Sequence, residues 1–222
     1  KSVNVVLGYT NQTVSYELIG TVGYIKISAF YKNTLNQLEK AVDQLKKEGA
    51  KSLVFDVRST YDGTIEYTCR VIDYLVPTAT DGNKALATLV DKNGNNVKTY
   101  SSDAKDITMP MAVLINSDTA GYGELFACDL KDFGKAFLIG EKTAGRADVQ
   151  ETFELSDGGA VVLTTSKMLP YISESFDGKG LTPDTEIILA DSLRENLSTL
   201  EKDRDTQLQA AISMLAGNSS ED

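Results

Sequence analysis

The middle of this chain alternates short, almost wholly apolar runs with segments of helical periodicity, and that alternation limits the folds open to it. Ser52 to Val57, Met111 to Ile115 and Ala136 to Ile139 are near-continuous apolar runs of strand length, the pattern of strands buried on both faces in a parallel sheet. Between and before them lie helical patterns. Leu35, Leu38, Ala41, Val42 and Leu45 recur at helical spacing after Asn33 or Thr34, and Gly49 ends the run. Ile65, Cys69, Ile72 and Leu75 share a face, and Pro77 stops that helix. A third helix is predicted from about Ala120 to Phe133, ended by Gly134. Repeated strand–helix units predict an α/β fold with a largely parallel central sheet.

Shorter signals fill in the rest. Val3 to Tyr9, Thr13 to Ile19 and Val22 to Ser28 read as strands. Asn93-Gly94 and Asp157-Gly158-Gly159 each separate two strand-like runs and predict hairpins, the second joining Val149–Leu155 to Ala160–Thr165. The tail from about Ser192 to Leu215 reads as one polar helix, with leucines and Ile212 along it, and Gly217 to Asp222 as a disordered end. The expected organisation is therefore strands over 1–20, a core over 21–190, a C-terminal helix over 191–216 and a tail over 217–222.

Composition removes several classes of function. The chain has 222 residues, 41% of them hydrophobic, which suits one compact domain. Its net charge of −10 opposes nucleic-acid phosphates, and no basic patch offsets that charge. It contains no histidine, so no Ser-His-Asp triad, Cys-His pair or His-ligated metal site can form. Cys69 and Cys128 fall in apolar helical patterns and read as buried small hydrophobes rather than a disulfide or zinc pair. No cofactor and no metal are expected. No apolar run approaches the ~20 residues that span a bilayer. The chain opens on Lys1 inside a strand pattern without a signal peptide, as expected of a piece of something longer.

Three colinear segments carry a resemblance. They are Gly23-Tyr24-Ile25-Lys26-Ile27-Ser28-Ala29-Phe30 with the later Leu53–Arg58 strand, then Met111 through Gly134 to Gly140-Glu141-Lys142-Thr143-Ala144-Gly145-Arg146-Ala147-Asp148-Val149-Gln150, and last Gly178-Lys179-Gly180-Leu181-Thr182-Pro183-Asp184. Together they resemble the C-terminal processing, or tail-specific, serine peptidases along nearly the whole chain, and Asp205 to Leu215 looks like that family's closing helix. The resemblance implies a ClpP/crotonase-like core of repeated strand-strand-helix units with a small N-terminal β portion. It also implies a preceding PDZ domain in the full-length chain, and an unstructured polypeptide or protein C-terminus as partner. The implied location is extracytoplasmic: periplasmic, cell-surface or secreted.

The family works through a Ser-Lys dyad with an orienting glutamine. The nucleophile lies in a run of small residues ending in glutamate, matched here by Asn116 to Glu124, which puts the nucleophile position on Gly121. The base position falls on Arg146 and the orienting glutamine on Gln150, while Lys142 matches another lysine of the family's run. Glycine has no group to attack with. A lysine base needs its pKa lowered from about 10.4 to near 7–8, whereas an arginine would have to fall from about 13, a cost of about 8 kcal/mol. Arginine stays charged and suits a bidentate grip on a carboxylate, which makes Arg146 a candidate peptide-binding residue; the bland alternative is a solvated or ion-paired surface arginine. The oxyanion-hole positions fall on Asp62, Gly63 and Tyr122, with Asp62 standing where the family has glycine and Tyr61 where it has proline. The expected function is a degenerate, inactive peptidase domain that binds peptides. The alternative is an active peptidase whose nucleophile has moved to Ser59, Thr60, Ser117 or Thr119; each of these also reads as a turn or cap residue, Thr119 as the N-cap of the third helix. An acyl-CoA site of crotonase type has no support in the charge pattern.

Overall fold

The computed structural model describes residues 11–77, 85–102 and 107–217, so the run Val3 to Tyr9 and positions 218–222 lie outside the described residues. In chain order the elements are β1 (Val14–Ile19), β2 (Val22–Ile27), β3 (Ala29–Phe30), α1 (Thr34–Lys47), β4 (Ser52–Asp56), β5 (Asp62–Gly63), α2 (Ile65–Leu75), β6 (Ala85–Val90), β7 (Asn96–Ser101), β8 (Met111–Ile115), α3 (Tyr122–Asp132), β9 (Ala136–Gly140), β10 (Asp148–Glu154), β11 (Ala160–Leu169), β12 (Thr185–Glu186), α4 (Asp191–Arg194) and α5 (Thr206–Gly217). The fold is mixed α/β.

The apolar runs pair as their composition requires. The main sheet has the order β1-β2-β4-β8-β9-β12; β2, β4, β8, β9 and β12 run parallel and β1 closes one edge antiparallel. Successive residues of its strands serve opposite faces. Leu53, Phe55, Val113 and Ile115 pack with α1, α2 and α3, while Val54, Ala112 and Leu114 pack under Leu208, Ala211 and Leu215 of α5. Residues 53–55 of β4 and all of β8 are buried because both faces are covered, which is why those runs lack polar alternation. Phe126 of α3 meets the rings of Phe30 and Phe55, each at 5.5 Å between centroids, and so sets α3 against β3 and β4. A second, antiparallel sheet has the order β10-β11-β6-β7. Cys69 and Cys128 are free and buried.

The tail differs from its expected single helix. It forms the short α4, a series of turns, and then α5, because Asp205 is fixed as the cap of α5: its Oδ1 accepts the Leu208 N–H at 3.1 Å. The same carboxylate is also committed elsewhere. Arg58, at the end of β4, directs all five guanidinium N–H donors to Asp56, Asp205 and Gln207 at 2.7–3.1 Å. Tyr24 donates its hydroxyl to Asp56 Oδ2 at 2.6 Å. This buried cluster ties the closing helix to the strand that leads into the loop 57–63. Burial alone would raise the Asp56 carboxyl, but the Arg58 charge and hydrogen bonds outweigh it and hold the group at about 2.

Removing Arg58 leaves two buried carboxylates without a countercharge. Arg58→Ala is expected to cost about 3–5 kcal/mol of stability in urea denaturation. The folded value of Asp56 lies below its ordinary 3.8, so its contribution is complete above that pH and is lost as pH falls through about 2. The urea midpoint of the parent chain should therefore drop between those values, and Arg58→Ala should lose that share of the drop.

Candidate active site

Parallel sheets offer ligands the loops beyond the carboxyl ends of their strands. Here those loops are residues 57–63 after β4, 116–121 after β8 and 141–147 after β9, and they meet one another. Ser59, the one non-glycine residue with positive φ (59°) among the described residues, is held by Asn116: its N–H donates to Asn116 Oδ1 at 2.8 Å, and Asn116 Nδ2 donates to Ser59 Oγ at 3.1 Å. The Ala120 N–H donates to the Thr60 carbonyl at 3.1 Å. That carbonyl approaches so closely that a Cβ at Gly123 would stand 2.4 Å from it, so position 123 must be glycine.

Thr119 does not cap α3. It is fully buried, its hydroxyl accepts the Asn116 N–H at 3.0 Å and lies 3.0 Å from the Val57 carbonyl, and it thereby braces the turn before the helix. The residue that opens the helix is Gly121, with φ 56° and ψ −109°, and its N–H donates to Glu124 Oε2 at 3.0 Å. Such a sharp, left-handed strand-to-helix turn is the geometry that exposes a nucleophile elsewhere. A side chain at Gly121 would find ordinary contacts only, with the Tyr61 and Arg146 carbonyl oxygens at 3.7 Å from its Cβ.

Glu124 joins this turn to the base-position loop. Its Oε2 also accepts the Arg146 N–H at 2.8 Å; its Oε1 accepts the Gly145 N–H at 2.7 Å and the Thr143 hydroxyl. The carboxylate is fully buried and has four donors, which satisfies it.

Gly121, Tyr122, Arg146, Gln150, Asp62 and Gly63 all line one cleft of about 590 Å³. Arg146 and Gln150 are exposed in it, and among the described residues no carboxylate is within ion-pair distance of Arg146. Tyr122 is half-buried and leans on the core as well as on the cleft. The loop after β4 carries its own anion. Asp62 Oδ1 accepts the Gly63 N–H at 2.9 Å, and the Tyr31 hydroxyl donates to Asp62 Oδ2. The Asp62 carboxylate therefore occupies the Gly63 N–H.

Two features of the site escape a reading of the sequence. Asp148 also lines the cleft, and its only signal is its place between Arg146 and Gln150. The carboxylate hub of Glu124 is visible in the sequence only as a register mark, since its partners lie some twenty positions onward. Of the hydroxyls considered as relocated nucleophiles, Thr60 is buried and donates to the Ile27 carbonyl at 2.6 Å, and Thr119 is committed as above. Ser59 and Ser117 line a neighbouring pocket of about 380 Å³ whose lining includes Arg146 and no lysine.

Replacing Glu124 by glutamine sets its amide nitrogen against at least one backbone N–H that the carboxylate accepts, a donor-against-donor contact. The expected cost is about 3 kcal/mol or more, with faster amide exchange at Gly121, Gly145 and Arg146 ahead of the core strands.

Comparison with known proteins identifies the family. The profile described as Peptidase family S41 matches residues 21–187. The carboxy-terminal processing protease CtpA of Bacillus subtilis is 30% identical over 194 residues, covering 85% of this chain and 41% of that protein. A carboxyl-terminal-processing protease of Picosynechococcus is 30% identical over 195 residues, covering 87% of this chain and 45% of that one. The chain thus spans less than half the length of these curated relatives. Among solved structures, a photosystem II D1 C-terminal processing protease superposes with a TM-score of 0.70 at 27% identity, over 81% of this chain and 49% of that one. An S41 protease structure from Bacteroides fragilis gives 0.75 at 22% identity, over 93% and 58%, which speaks to the fold alone. By its sequence profile and by these relatives, the chain belongs to peptidase family S41, among the homologues of the C-terminal processing proteases.

Proposed function

We propose that this domain is a catalytically silent S41 member that keeps the cleft and uses it to hold unstructured polypeptides or protein C-termini. The observation that carries the reading is the glycine in the nucleophile turn: the turn is formed and braced, but Gly121 presents no atom that can attack. Two further features support it. Arg146 stands where a neutral base is needed and brings a fixed positive charge instead. Asp62 sets a carboxylate on the Gly63 N–H, and loss of one oxyanion donor alone typically costs ~10²–10³ in rate. With the family go a ClpP/crotonase-like core, a PDZ domain elsewhere in the full-length chain and an extracytoplasmic location, which we propose here as well.

The silent reading is tested by incubating the chain with an unstructured protein and identifying products by mass spectrometry. The native chain is expected to release none. Gly121→Ser/Arg146→Lys is expected to remain at least ~10²-fold slower than the same pair combined with Asp62→Gly, since Asp62 still covers the donor. The serine at a φ of 56° is expected to cost about 1–2 kcal/mol of stability. Sustained cleavage by the native chain, after purification from other proteases, would overturn the reading.

The cleft's grip is tested separately. Peptides with a free C-terminal carboxylate are expected to bind about tenfold more tightly than their amides, and Arg146→Ala should erase the difference. Equal binding of both peptide forms to the native chain would remove Arg146 as the carboxylate clamp.

A further inference from the structure

The β10–β11 hairpin exposes apolar surface in an unusual concentration. Eleven large apolar side chains are exposed among the described residues, and five of them, Phe153, Leu155, Val161, Val162 and Leu163, belong to this hairpin. Scattered exposed hydrophobes need no explanation; a cluster on one element does. Register pairs Phe153 with Val161 and Glu151 with Leu163 on one face, while Thr152 and Val162 lie opposite each other on the face that lines the cleft.

The hairpin also leaves a strand edge open. β11 pairs with β10 from Ala160 to Lys167, but with β6 only through Lys167, Met168 and Leu169. Among the described residues no strand pairs with the outer edge of Ala160 to Thr165. That edge reads Ala-Val-Val-Leu-Thr-Thr. It has no lysine, no proline and no charge, the devices by which proteins normally blunt an edge. An exposed, β-branched, uncharged edge is a template for strand addition, with backbone groups for affinity and side-chain positions on both faces for selection.

Charge decides what the added strand is. Asp148, Glu151, Glu154 and Asp157 all lie on the hairpin, and positions 147–166 contain no lysine or arginine. These carboxylates stand on β10 and the turn, one strand in from the open edge; a second copy adding its own β11 there would bring no basic residue from positions 147–166 toward them, and each molecule carries a net charge of −10. An extended segment that mixes basic with apolar residues satisfies both the apolar faces and the carboxylates.

We infer that the outer edge of β11 docks an extended polypeptide segment of basic and apolar composition, added as a further strand to the β10–β11 sheet. The inference goes beyond the cleft and uses neither Arg146 nor a free carboxyl terminus.

The test uses the whole 222-residue chain and a fluorescent peptide of about twelve residues alternating Lys and Val, acetylated and amidated, read by anisotropy. Saturable binding is expected, weakening as salt rises. Methylation of alternate peptide nitrogens, which removes the donors of the ladder but keeps charge and apolar area, should weaken it about tenfold or more. Val161→Lys/Leu163→Lys should do the same with an unchanged melting temperature, because both side chains are exposed. Arg146→Ala should leave binding unchanged. Absence of binding, or equal binding of a Glu-Val peptide or of the methylated peptide, would overturn the proposal. A change of binding in either direction in Arg146→Ala would move the site to the cleft, where loss of that positive charge favours a lysine peptide, overturning the edge inference while leaving the cleft reading standing. Concentration-dependent dimerisation in sedimentation that Val161→Lys/Leu163→Lys abolishes would make the occupant a second copy and overturn it too.

Discussion

One buried carboxylate holds the site together. Glu124 takes four hydrogen bonds from Gly121, Thr143, Gly145 and Arg146, and so fixes the turn at the start of α3 to the loop after β9. A buried charge that lacked any of these donors would be strongly destabilising, so the two loops are obliged to stay in register. Everything proposed for the cleft depends on that register: the direction in which a side chain at Gly121 would point, and the emergence of Arg146 beside it. Beneath the loops the Arg58 cluster has a similar role, where Asp56 and Asp205 lock the closing helix α5 to the end of β4. The scaffold therefore devotes two buried carboxylate networks to positioning these loops. In the proposed reading, the interactions that form the cleft are separable from those that would do catalysis, and only the second set is changed, at Gly121, Arg146 and Asp62.

Asp62 is the most informative of these changes. Its carboxylate accepts from the Gly63 N–H, and the Tyr31 hydroxyl donates to it in turn. The hydrogen bond to Asp62, with desolvation second, pushes the Tyr31 phenol up and keeps it a donor. The loop thus supplies an internal anion to the Gly63 N–H. Under the proposed function, that occupied donor suits a cleft that holds a chain rather than one that stabilises a transition state.

Much of the architecture is legible in the sequence because buried parallel strands and amphipathic helices leave different periodicities. Ser52–Asp56 and Met111–Ile115 have no polar alternation, since helices cover both faces of the sheet. The tail misleads because the leucines at 193, 197 and 200 continue a helical rhythm, while the breaking signal is tertiary: Asp205 is held by Arg58 and can cap only a helix that starts after it. Thr119 misleads for a similar reason. A threonine directly before a helix predicted from about Ala120 fits a cap, but its hydroxyl is taken by the Asn116 turn, and Gly121, held by Glu124, opens the helix instead. That Gly121, Arg146 and Gln150 share one cleft is legible because motif order carries over along the chain. The open edge of β11 cannot, because an apolar strand-length run reads as buried until its neighbours are known.

The central claim is that the frame of a serine peptidase persists here without a working nucleophile. A fluorophosphonate probe tests it most directly, since it reports an activated hydroxyl whatever the substrate preference. After incubation, the intact mass of the native chain is predicted to be unchanged. A stoichiometric adduct mapped to Ser59, Thr60, Ser117 or Thr119 would contradict the account and show that the nucleophile has moved rather than vanished.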